Sequence, residues 1–194
     1  MPYTIVYYID SNNFGGAEQV LYTILKGIDI KLWHPIVIYH PSPGIMPFIK
    51  LVESLQVDTL STSEIRGYKD ITGIFKFAMK LRSIRPTIFH ANLNWPLSCS
   101  SGIIAAYLAG IHTIIGTQHL FEEIRSRRDR VLQKIVSLMM TRYIAISSDL
   151  ADQLKKTIFS EKKIIVVQNG INLEYYSKKS NRDPKIDVYG RSKD

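Results

Sequence analysis

Along this 194-residue chain the hydrophobic pattern alternates between two periods. Short apolar runs rich in β-branched residues fit strands, and between them apolar residues recur at helical spacing. Tyr3–Ile9 reads as a strand, Asp10–Phe14 as a loop, and a helix is predicted from Gly16 to about Lys26. A strand over Pro35–Tyr39 runs into the turn-rich segment Pro41–Pro47, where Pro41, Pro43, Gly44 and Pro47 cannot all sit inside a helix. A helix over Phe48–Leu55, a strand over Val57–Leu60 and an amphipathic helix over Asp70–Ile84 follow. Pro86 ends that helix by steering Arg85 out of the right-handed helical region.

From Thr87 to Phe121 the chain carries no Asp, Glu, Lys or Arg. Such a stretch raises the question of a membrane span. Pro96, Gly110 and the polar residues Ser98, Ser100, Ser101, His112, Thr117, Gln118 and His119 argue instead for three buried pieces. These are a strand over Thr87–His90, a helix over Trp95–Ala109 and a strand over His112–Gly116. A helix from about Leu120 to Met140 comes next, then a strand over Tyr143–Ile146. Asp149–Thr157 reads as a helix capped by Ser147 or Ser148, and Lys163–Val167 as a strand closed by an Asn169-Gly170 turn. Uncharged strands alternating with helices predict an α/β fold: a doubly wound, mostly parallel, Rossmann-like sheet. The polar run Ser177–Pro184 has linker composition, so one domain is expected over residues 1–176.

Composition narrows the function classes. Hydrophobic residues at 45% and charged residues at 22% are globular values. The single cysteine, Cys99, excludes an intramolecular disulfide framework and a Cys-rich zinc site, and fits a reducing, cytoplasmic compartment. Met1-Pro2-Tyr3 enters an apolar run without the charged leader of a signal peptide. The net charge is +8, with basic residues gathered at Arg125, Arg127, Arg128, Arg130, Lys155, Lys156, Lys162 and Lys163. A solvated basic face, an anionic membrane surface or a nucleic acid would each account for this bias. Nucleic-acid binding is disfavoured, because no RNP-like aromatic motif or metal-ligand finger accompanies the charge. The helix ending at Met140 poses the same choice. Its apolar stripe, Ile124, Val131, Leu132, Ile135, Leu138 and Met139, either faces the core beneath a solvated basic side or helps a basic amphipathic surface dock on anionic lipid.

Candidate chemistry gathers at strand ends. Asn13-Phe14-Gly15-Gly16-Ala17-Glu18 places bare backbone amides and a helix N-terminus after the first strand, a setting that accepts an anion. Neither the dinucleotide fingerprint nor a P-loop is present, and a Gly-Gly pair also serves as a purely structural turn. His90 and His119 are expected at the carboxyl ends of the fourth and fifth strands, the edge where open α/β sheets bind ligands. His34, His40 and His112 are taken as structural, although His40 also ends a strand.

Five segments in order resemble one family. Gly15-Gly16-Ala17-Glu18, Arg85–Asn92, Gly116-Thr117-Gln118-His119, Tyr143–Ser147 and Val167–Asn172 are similar to the N-terminal, acceptor-side domain of family-4-type glycosyltransferases of the GT-B fold. The resemblance covers roughly Tyr3 to Tyr176. It implies retaining transfer from a nucleotide-sugar donor, without metal or other cofactor, to a glycan or lipid-linked acceptor in envelope polysaccharide or glycolipid synthesis. It implies that Gly15 and Gly16 border the donor diphosphate and that His119 is the catalytic candidate near the reacting sugar. Asn13, Glu18 and His90 are implied as donor- or acceptor-binding residues. Where the family often has a second histidine this chain has Asn92, and Gln168 stands where proline is common. Ile186–Arg191 resembles the first strand and Gly-Arg turn of the donor-binding domain, so residues 177–194 are expected to be a linker and the start of that domain. The 194-residue chain is then the acceptor-side half of a split or truncated enzyme, inactive alone, with a C-terminal domain or subunit as partner and a peripheral contact at the inner membrane face. The alternative is a non-catalytic α/β module that binds a phosphorylated ligand or a partner protein at the same edge.

Overall fold

Each of the first two strands sends alternate residues into two different cores. Val6 and Tyr8 of β1 (Tyr3–Ile9) join one cluster, and Ile5, Tyr7 and Ile9 join the other. β2 (Trp33–Tyr39) divides in the same way, Ile36 and Ile38 against Val37 and Tyr39. Both strands are therefore covered on both faces, as their uncharged sequences require. The computed structural model describes residues 2–158 and 160–170. The expected linker over residues 177–194, and Ile171 and Asn172 of the last motif, lie outside the described residues.

The remaining elements are α1 (Gly16–Gly27), α2 (Met46–Ser54), β3 (Asp58–Ser61), α3 (Ile71–Ile84), β4 (Ile88–Leu93), α4 (Ser100–Leu108), β5 (Thr113–Gln118), α5 (Arg127–Met139), β6 (Arg142–Ala145), α6 (Ser148–Lys155) and β7 (Ile164–Val166). The strands form one parallel sheet in the order β3-β2-β1-β4-β5-β6-β7. Helices α1 and α2 pack on one face, and α3, α4, α5 and α6 supply the core of the other. The chain winds outward from β1 to β3 and then crosses back to β4, so the topological switch point lies between β1 and β4.

Local chemistry sets the helix ends. Asp70 caps α3 by accepting from the Gly73 N–H at 2.9 Å, and Ser147 caps α6 by accepting from the Leu150 N–H at 3.2 Å. Arg85, ahead of Pro86, adopts the left-handed region at φ 52° and closes α3.

Three of the boundaries that differ from the sequence expectation do so for a plain local reason. β4 runs on to Leu93 instead of ending at His90, because its ladder with β5 continues through Asn92↔Thr117 and Leu93↔Gln118. α4 starts at Ser100 and not at Trp95. Ser98 Oγ accepts from the Trp95 N–H and donates to the Trp95 carbonyl, and Cys99 at φ 56° cannot continue a helix. α5 starts at Arg127 and not at Leu120, since Ser126 acts as its cap and residues 120–126 stay irregular.

Helix α4 lies close enough to the sheet that a Cβ at Gly102 would overlap the Tyr8 ring. Gly102→Ala should therefore cost about 1–3 kcal/mol of stability through overpacking. Urea unfolding of the two chains measures it, and an unchanged midpoint would show that Tyr8 can move aside.

Candidate functional site

The switch point is lined from both sides by the ends of β1 and β4. Gly15 caps α1 in an extended conformation, and Glu18 turns back so that its Oε2 accepts from the Gly15 N–H at 2.9 Å. The other oxygen, Oε1, accepts from Asn94 Nδ2 at 3.2 Å just past β4. Glu18 is thus 1% exposed with both carboxylate oxygens engaged. Gly15 and Gly16 remain exposed, and a Cβ on Gly16 would meet nothing within 4 Å. The fold does not need a glycine there, and its bare amide stands open at the start of a helix. Asn13 is also exposed. Its backbone bridges Gly44 and its N–H donates to Ser11 Oγ, which positions the loop from 41 to 45 against the turn; the expected loop end at Pro47 lies inside α2.

His119 follows β5 directly and is 8% exposed. Its Nε2 lies 2.9 Å from Asn92 Oδ1, and its N–H donates to the Leu93 carbonyl at 2.9 Å. With the Asn92 oxygen turned to the ring, Nε2 carries the proton and Nδ1 keeps a lone pair. Burial lowers the His119 pKa, against an opposing pull from the Glu18 charge, so the ring is neutral near pH 7.

His90 is placed otherwise than expected. It sits inside β4, three positions before the strand ends, and does not project from the carboxyl edge. Its ring packs on Tyr7 with centroids 5.1 Å apart and shares a 2.8 Å hydrogen bond with Thr117 Oγ1. Burial, with a smaller push from His119, lowers its pKa to about 4.

Three residues of this edge had escaped selection as site candidates: Asp10, Asn92 and Asn94. Asn92 orients His119, and its presence in the His90-Ala91-Asn92 motif was the available signal. Asp10 ends β1 and accepts from the Cys99 N–H at the start of α4. Its Oδ1 is buried without a partner among the described residues, and burial raises its pKa. His40, whose Nδ1 is likewise buried and unpartnered, joins Asp10, Asn12, Glu64 and Ser98–Ser101 around a recess of about 220 Å³. No Lys or Arg lines it. Trp95 separates this recess from a wider one of about 650 Å³ bordered by Glu122–Ser126. Among the described residues no group of three or more His, Cys, Asp or Glu side chains is placed to hold a metal ion, and no helix is long and apolar enough to cross a membrane.

A family model for glycosyltransferase family 4 matches residues 14–175. The chain belongs to this family. No curated protein matches it. A glycosyltransferase from Rickettsia africae has a similar structure, with a TM-score of 0.72 and 20% identity over 95% of this chain and 47% of the other. Anabaena Alr3699/HepE, solved in complex with UDP-glucose, gives 0.67 and 16% identity over 92% of this chain and 49% of the other. A UDP-GlcNAc 2-epimerase from Neisseria meningitidis bound to UDP-GlcNAc gives 0.65 and 12% identity over 92% and 51%. This family-4 chain therefore has the α/β architecture of GT-B proteins and spans about half the length of the solved structures it matches.

The partly buried His90 makes a pH prediction for the family-4 chain. With its pKa near 4 when folded and about 6.5 when unfolded, the unfolded state binds the extra proton first as pH falls. Stability should drop between pH 6.5 and pH 4, by up to about 3 kcal/mol, and this contribution is constant above pH 6.5. Asp10, whose pKa burial raises, works in the opposite sense. The test is therefore wild type against His90→Gln, which retains a donor toward Thr117. Equal pH slopes for both chains would assign the loss to other groups.

Proposed function

We propose that this chain is the acceptor-side half of a retaining, nucleotide-sugar-dependent glycosyltransferase of envelope polysaccharide or glycolipid synthesis. The observation that carries this is the pairing, in a family-4 chain, of a neutral His119 oriented by Asn92 with an open Gly15-Gly16 helix start across the β1–β4 switch point. In this reading Gly15 and Gly16 border the donor diphosphate, with the Gly16 amide and the N-terminus of α1 turned to it while the Gly15 N–H stays bonded to Glu18. His119 hydrogen-bonds the donor sugar and polarises the reacting groups. Glu18 and Asn13 hold the turn that receives the donor, and His90 supports the floor beneath. HepE in complex with UDP-glucose supports a nucleotide-sugar donor without fixing which one.

The acceptor takes the recess beside Asp10. Two carboxylates, Asp10 and Glu64, and no Lys or Arg make it a poor seat for a phosphate. An uncharged, hydroxylated ring suits it, since Asp10 Oδ1 and His40 Nδ1 each lack a partner there among the described residues. No metal enters this scheme, and chelator should leave turnover unchanged. Residues 177–194 lead into the donor-binding domain that completes the cleft, and a peripheral contact with the inner membrane face belongs to the same reading.

In the full two-domain enzyme, His119→Ala should lower kcat by roughly 10²–10⁴-fold while the melting temperature stays near wild type. An unchanged rate would remove His119 from the catalytic groups. The purified 194-residue chain should transfer no sugar, and turnover of a nucleotide sugar by it would overturn that part.

A further inference from the structure

The outer surface of α3 and α5 is apolar where a solvated surface would be polar. On α3, Ile74, Phe77, Ala78 and Leu81 fill the core, but Ile71, Phe75 and Met79 form a second stripe one helical turn apart. Ile71 and Phe75 are 77% and 62% exposed. Helix α5 divides its apolar stripe, with Leu132 and Met139 partly buried against the core. The side chains it buries are Gln133, Val136 and Ser137, whereas Val131 and Leu138 are 57% and 56% exposed and Ile135 faces water beside them. α5 therefore turns part of its apolar stripe to solvent instead of burying all of it beneath a basic side.

The two stripes belong to one face. α4 packs against both α3 and α5, and nearly all of its residues are small or buried. Tyr68, two residues before the α3 cap, shares a groove of about 470 Å³ with Val131, Leu132 and Ile135 of α5. Charge around this face is predominantly basic. α3 carries Lys76, Lys80 and Arg82 with no acidic residue, and α5 carries Arg127, Arg128, Arg130 and Lys134 against Asp129 alone.

We infer that the α3–α5 face docks on an anionic lipid bilayer, its apolar side chains entering the headgroup–acyl boundary and its cations meeting lipid phosphates. A second copy of the chain fits the face poorly, because symmetric pairing would bring two basic surfaces together. An anionic bilayer supplies both the apolar interior and the opposite charge. The inference gives a location to the membrane contact of the transferase reading, and docking itself requires no catalysis.

Flotation of the 194-residue chain with vesicles of phosphatidylcholine, with and without phosphatidylglycerol, tests it. The chain should float with phosphatidylglycerol vesicles only, and added salt should weaken the binding. Phe75→Ser with Val131→Ser should lower the partition coefficient by roughly tenfold, as should Arg127→Glu with Arg128→Glu. All four positions are exposed, and circular dichroism checks that the variants keep the fold. Failure of the wild-type chain to bind anionic vesicles would overturn the inference. So would full binding by the Phe75/Val131 variant, or a concentration-dependent dimer in sedimentation velocity that this variant abolishes. His119→Ala should leave flotation unchanged, so that failure of docking and failure of the catalytic assignment give different results.

Discussion

The buried carboxylate of Glu18 is the constraint on which the functional edge depends. A carboxylate held 1% exposed is costly unless its oxygens are satisfied, and here each has a donor. One donor is the Gly15 N–H ahead of α1 and the other is Asn94 beyond β4. The same group therefore fixes the turn after β1 and the exit from β4, the two segments that flank the switch point. Its charge also opposes the effect of burial on His119. Loss of either partner would leave one buried acceptor unpaired and cut the link that Glu18 makes between the two segments.

Asp10 plays the corresponding part on the opposite face of β1. It accepts from the Cys99 N–H, and the left-handed Cys99 then delays α4 until Ser100. The turn from Trp95 to Cys99 that results forms the rim of the recess, with Trp95 at its outer corner. Cys99 contributes here through its backbone. Its thiol is buried, donates to the Tyr8 and Asn92 carbonyls, and has a pKa well above that of an ordinary cysteine. A thiol in that state is a poor nucleophile. The two carboxylates differ in completeness: Glu18 is fully paired, whereas Asp10 keeps one oxygen without a partner.

Much of the fold was legible because strands buried on both faces leave an unmistakable apolar signature. Tyr3–Ile9 was read to the residue, and the Ser147 cap and the stop at Pro86 follow from local chemistry alone. His119, Gly15, Gly16 and Glu18 could be selected because they stand in short motifs at strand ends. His90 was placed at the edge because the polar residues after it resemble a loop, whereas in the sheet Asn92 is buried and laddered to Thr117. The pairings Asn92–His119 and Glu18–Asn94 join residues 27 and 76 positions apart. No local pattern encodes them; they exist only once β4 lies between β1 and β5. The orientation of α5 was illegible for another reason. Periodicity reveals that a stripe exists but not which way it faces, and α5 buries Gln133 and Ser137 while Lys163 Nζ donates to the Ser137, Leu138 and Met140 carbonyls at its C-terminus.

The internal character of these tethers bears on how this edge can meet a ligand. The side-chain hydrogen bonds that set Gly15, Glu18, Asn92 and His119 are made within residues 15–119, so this wall is formed by the chain's own residues. In the proposed transferase, donors aimed beforehand at a developing charge need no reorganisation during the reaction. The same preformed wall does not select the chemistry by itself. A UDP-GlcNAc 2-epimerase shares the architecture at 12% identity, so the outcome must depend on what meets this wall from across the cleft and on what occupies the recess beside Asp10.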